Sequence, residues 1–111
     1  MPIAPGRISG VANTFNGRWI VEGNTVLLHG VFPQSLEKWD SDALLEYENV
    51  EDISGDFFIR PEESFSHVGP HDLSLFLRSL RGNKVKITGH LSGPISNRTD
   101  VTAQVSVVRE D

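Results

Sequence analysis

No cysteine occurs among the 111 residues of this chain. Disulfides, thiolate nucleophiles and cysteine metal ligands are therefore excluded, and stability has to come from a packed core. Long apolar runs are also missing. No stretch approaches the roughly 20 residues that cross a bilayer as a helix, so no membrane partner is expected. Residues 1–6 carry no basic stretch followed by an apolar block, so no secretory signal is expected and the setting is expected to be cytoplasmic. Phosphate loops, dinucleotide fingerprints and nucleophile-elbow serines are absent, as are internal repeats and low-complexity tracts. Aromatic residues make up only 8% of the chain, so the position of each one carries information.

What is present is an apolar fraction of 38% and a charged fraction of 23%, ordinary for one globular domain of this length. The formal net charge of −5 is unevenly spread. Residues 37–63 hold ten acidic groups against Lys38 and Arg60, for −8, while the remainder has eight basic and five acidic residues, for +3. The chain reads as a mildly basic scaffold with an acidic insertion at about residues 35–65. Nucleic-acid binding needs concentrated positive charge, so the overall sign opposes it.

Residues 1–6 contain two prolines and a glycine and are expected to form a loose arm before a single domain over 7–111. Strands are expected at 7–14, 18–21 and 25–32, with turns at Asn16-Gly17 and Glu22-Gly23-Asn24 and a stop at Pro33. Leu36, Trp39 and Ala43 favour a helix over 35–49, although 43–50 also fits a strand. Phe57, Phe58 and Ile59 form a short strand, followed by a loop over 61–68. Leu73, Phe76, Leu77 and Leu80 repeat at i, i+3, i+4 and i+7 and predict an amphipathic helix over 70–81, with Pro70 at its start and Gly82 at its end. Alternation predicts two last strands, over 84–91 and 101–107. Three strands, an insertion, a helix and two strands give a β-rich α+β fold. Its order is that of a small five-stranded OB-like barrel.

Several short segments extend this reading. Asn16-Gly17-Arg18-Trp19 stands where staphylococcal-nuclease-like domains have an Asp-Gly-Asp-Thr turn. Val26 to Gln34 is similar to their third strand, Gly69-Pro70-His71-Asp72 to their helix opening, and Ser96-Asn97-Arg98 to the turn before their last strand. The chain resembles a degenerate member of that family over roughly residues 7–108. The resemblance implies a calcium- and arginine-dependent phosphodiesterase scaffold with its chemistry removed. Asn16, Arg18 and Phe32 replace acidic groups, Leu27 replaces an arginine, and Gln34 replaces the glutamate; only Arg98 is retained. Calcium requires hard oxygen ligands, and none stands at the matched positions.

The expected function is therefore a non-catalytic binding or interaction module, with a protein or a small polar ligand as partner and no metal or other cofactor. The candidate ligand-binding face comprises Arg18, Trp19, Phe32, Trp39 and Arg98. An alternative is a single-stranded nucleic-acid-binding domain using Arg78, Arg81, Lys84 and Lys86. A third reading, a divergent hydrolase or nuclease, depends on convergence of His29, His67, His71 and His90. Asp40, Asp42 and Glu51 do not form a calcium loop, because Leu44 and Leu45 occupy its ligand and glycine positions.

Overall fold

A computed structural model describes residues 2–60 and 66–110. It contains eight strands: β1 (Ile3–Val21), β2 (Asn24–Glu46), β3 (Gly55–Ile59), β4 (His67–Val68), β5 (Asp72–Ser79), β6 (Lys84–His90), β7 (Thr99–Asp100) and β8 (Ala103–Glu110). A 3-10 turn at Val50–Asp52 is the only helical element among the described residues. No helix is long and apolar enough to cross a membrane. All pairings are antiparallel, and the ring β2–β8–β3–β5–β6 closes back on β2. The result is a five-stranded closed barrel, flanked by β1 on β2 and by β4 and β7 beyond β5.

β2 serves the ring twice because it bends. Thr25–Val31 pairs with β8, and Leu44–Glu46 pairs with β6. The bend coincides with register shifts against β1 around Ala12, which has φ 55. Pro33 lies in this irregular stretch, where its missing donor breaks no ladder bond, so the strand continues past it. The β1–β2 hairpin turns at Glu22-Gly23, both with positive φ, the geometry of a tight hairpin. Asn16-Gly17, expected as a turn, instead lies inside β1 opposite His29 and Leu28. Gly17 is needed there for space, since a Cβ would collide with the Trp19 ring.

The expected helix over 70–81 is absent, so the α+β assignment is corrected to an almost entirely β fold. Leu73, Leu75 and Leu77 are buried while Ser74, Phe76 and Arg78 are half-buried, a period of two. The helical pattern was matched only by passing over Leu75, which is fully buried. Gly82 has φ 89 and turns β5 into β6, with its N–H donating to the Ser79 carbonyl. The expected helix over 35–49 is likewise replaced, by the second half of β2, in which Trp39, Ser41, Ala43 and Leu45 point inward. The acidic stretch is thus partly barrel wall, with Asp40, Asp42 and Glu46 on its outer side. Residues 3–6, expected as a loose arm, open β1 and pair with residues 43–46. The loop expected over 61–68 is only partly described: 61–65 lie outside the described residues, and His67–Val68 forms β4.

The interior is filled by large side chains. Phe15 stacks on Phe32 with ring centroids 4.4 Å apart, and Trp39 lies 6.5 Å from Phe15. Trp19 is buried and donates Nε1–H to the Ala43 carbonyl at 3.1 Å. Phe57, Leu75 and Ile87 complete the centre. No room for a ligand is left inside, so any binding belongs to the outer surface.

Candidate functional site

The expected binding face does not assemble. Trp19, Phe32 and Trp39 are 1%, 1% and 3% exposed, so they are core residues and present no surface to a partner. Arg18 is exposed on β1 opposite Leu27, in a shallow depression shared with Arg7, Asn16 and Asp40. Arg98 precedes β7 and forms an ion pair with Asp100 at 3.5 Å. Of the residues at family-matched positions, Asn16, Arg18 and Leu27 face outward and Phe32 faces the core. The expectation that aromatics beside Arg18 form a stacking rim fails because their inward register gives them to the barrel interior.

The basic residues assemble better. Arg78 pairs in register with Lys84, and Phe76 with Lys86, on the outer side of β5 and β6; Arg81 lies in the turn between them. Phe58 is opposite Arg78 on β3. Lys86 Nζ stands 5.2 Å from the Phe76 ring centroid, and Glu46 is opposite Lys86 on β2. Phe58 and Phe76 are half-buried on this outer face, although the sequence pattern assigns both to apolar, inward positions.

A recess of about 400 Å³ lies on another part of the outer face. Its floor follows from register. One row crosses five strands from His67 (β4) through Ser74 (β5), Thr88 (β6) and Leu44 (β2) to Pro5 (β1). Ser74 and Thr88 are short and sit between taller neighbours, so the surface dips at the middle of the row. The adjacent row brings Asp72 opposite His90, and Asp42 Oδ1 accepts the His90 backbone N–H at 2.9 Å. Leu73 and Ala43 supply apolar wall.

His67 Nε2 and Asp72 Oδ1 are 2.9 Å apart. This hydrogen bond holds the Asp72 carboxyl below its ordinary range; desolvation opposes the shift, and the charges of His67, His90 and Arg98 reinforce it. Asp72 is therefore ionised at neutral pH. An Asp–His pair invites a general-base reading, which requires the second ring nitrogen to reach a substrate. Here His67 Nδ1 is buried and has no hydrogen-bond partner among the described residues. The pair fixes the imidazole but gives its second nitrogen no path to a ligand.

The histidines converge only in part. His67 and His90 line the recess, whereas His29 bonds Asn16 at 2.8 Å on β2, and His71 takes part through its backbone, accepting from the Leu91 N–H. Among the described residues no group of three or more His, Cys, Asp or Glu is placed to hold a metal ion. The recess was not legible as a site in the sequence, because its residues lie on five strands. The one available signal was the cluster His67, His71 and Asp72. Comparison with protein-family models, with curated proteins and with solved structures finds no match. The nuclease-like resemblance therefore has no family support, and what stands is a closed five-stranded antiparallel barrel, consistent with an OB-like fold.

Proposed function

We propose that this protein is a non-catalytic binding module on an OB-like barrel, and that it takes a small polar ligand in the recess around His67, Ser74, Asp72, Thr88 and His90. One observation carries the reading: a concave outer surface combines an apolar wall with several convergent polar groups, the usual make-up of a small-molecule site. The filled barrel interior supports an outer site, and the sealed His67 nitrogen argues against proton transfer there. The test is a panel of small polar compounds, read as a rise in melting temperature. Hits on the native protein should disappear in Thr88→Trp, whose indole fills the dip. Hits retained by that variant would move the site elsewhere.

A second reading, single-stranded nucleic-acid binding, is favoured by Phe58 and Phe76 standing outward beside Arg78, Lys84 and Lys86. Trp19 is buried and cannot stack a base, so tryptophan quenching is the wrong probe. A labelled oligothymidylate should instead bind at low salt, weaken steeply as salt rises, and be lost in Lys84→Glu/Lys86→Glu. Absence of binding at low salt would dispose of this reading.

A further inference from the structure

The charges around the recess are not balanced. Four carboxylates stand there, Asp40, Asp42, Asp72 and Asp100, against two guanidiniums, Arg7 and Arg98. Arg7 faces Asp42 in register but turns its Nη2 to Asp40 at 2.9 Å and to Ser92 at 3.3 Å. Arg98 is engaged by Asp100 at 3.5 Å. Each guanidinium thus has a carboxylate of its own, and the two carboxylates left over, Asp42 and Asp72, are the two that line the recess. Neither lysine nor arginine lines it. In the next row outward, Lys86 is matched by Glu46.

The remaining lining is specific in kind. Ser74 and Thr88 supply hydroxyls, and Pro5, Leu44 and Leu73 supply an apolar wall. A metal ion would need more ligands than these groups gather, since no set of three or more metal-binding side chains is present among the described residues. A volume of about 400 Å³ is near the lower end for ligand pockets and suits a compact molecule.

We infer that the recess selects a small organic cation, an amine whose ammonium group sits between Asp42 and Asp72 and whose hydrocarbon part lies on Leu44, Leu73 and Pro5. This inference rests on the binding reading above and narrows its ligand class. An ammonium provides three donors and no acceptor, matching two carboxylates and two hydroxyls. His67 and His90, neutral at alkaline pH, do not oppose it there.

The test uses three probes of one shape: phenethylamine, phenethyl alcohol and hydrocinnamate. Each is titrated into the full chain at mildly alkaline pH and low salt, and backbone amide NMR signals of Ser74, Thr88 and His90 are followed. The amine is expected to move these signals with at least about fivefold higher affinity than either other probe, and to weaken on adding salt. Asp42→Asn and Asp72→Asn are each expected to lower amine affinity about two- to fivefold, the range for partly exposed charge pairs. Asp56→Asn, on β3, is expected to leave it unchanged. Unchanged dispersion of the amide spectrum shows that each variant is folded, and the two aspartates are tested separately. Equal binding of all three probes, or preference for the acid, would overturn the cation assignment while leaving the recess as a binding site. No response to any of them also overturns it, and the compound panel with Thr88→Trp then decides the broader reading alone.

Discussion

Tyr47 and Asp72 show how single ionisable groups report on this structure. Tyr47 is the only tyrosine, buried on the β2 side with its hydroxyl donating to Glu22 Oε2 at 3.0 Å. Burial, then that hydrogen bond, then the Glu22 charge all push its pKa above the ordinary value of 10.0. A raised folded-state pKa contributes stability that is complete below the unfolded value and is lost as pH rises through the folded value. Ultraviolet titration should therefore find the phenolate appearing at higher pH in the native protein than in urea, and Glu22→Gln should lower the native midpoint. Asp72 has the opposite sign. Its folded-state pKa lies below the ordinary 3.8, so its contribution is complete above that value and is lost as pH falls through the folded one. Because Asp72 is 54% exposed, the effect is limited to about 1 kcal/mol or less. Urea denaturation should show Asp72→Asn weaker than the native protein at neutral pH and equal to it in strong acid.

Glycines supply a third residue-scale check. A Cβ at Gly30 would collide with the Phe15 ring, at the stacked Phe15–Phe32 pair, whereas at Gly93 it would meet nothing within 4 Å. Gly30→Ala should cost about 1–3 kcal/mol in urea unfolding. Gly93→Ala should be close to neutral. Similar losses for the two would mean that the core does not sit against Gly30.

The element scale is where sequence and structure part company. Residues 70–81 satisfy a helical period through Leu73, Phe76, Leu77 and Leu80, and a strand period through Leu73, Leu75 and Leu77. Two leucines are common to both patterns, so the local sequence does not choose between them. The barrel chooses, because β6 and β3 offer hydrogen-bonding edges on both sides of β5 and a helix would leave the ring open. The consequence falls on Leu75 and Phe76, whose roles the two patterns exchange. Leu75→Ala should cost about 2–5 kcal/mol, as for a buried leucine, and Phe76→Ala clearly less. A helix would reverse that order. Residues 35–46 tell the same story, since Trp39 and Ala43 keep helical spacing while Trp39, Ser41, Ala43 and Leu45 keep strand spacing. By contrast, the strands near 7–14, 18–21, 25–32, 57–59 and 84–91 were legible. Their apolar alternation or β-branched runs have no competing period, and Glu22-Gly23 marked the hairpin turn.

At the scale of the whole molecule, a barrel of this size has its interior consumed by packing. Phe15, Trp19, Phe32, Trp39 and Phe57 fill it, and this is why the aromatics that looked suited to a ligand are unavailable to one. Function is left to the outer face, where register brings together side chains distant in sequence. The basic cluster was legible because Arg78, Arg81, Lys84 and Lys86 are neighbours along the chain. The recess was not, because Asp42, His67, Asp72, Thr88 and His90 meet only through pairing across β2, β4, β5 and β6. The acidic stretch changes meaning in the same way. Its carboxylates alternate outward along β2, and Asp42 becomes part of a recess wall.

These two outer surfaces give the central claim a direct test. Amide NMR shifts of the full chain are mapped while the small polar compounds that raise its melting temperature are titrated in. The account predicts that the moving signals cluster at His67, Ser74, Thr88 and His90, with Arg78 and Lys84 unmoved. Clustering at Phe58, Arg78 and Lys84 instead, or around Arg18, would contradict it.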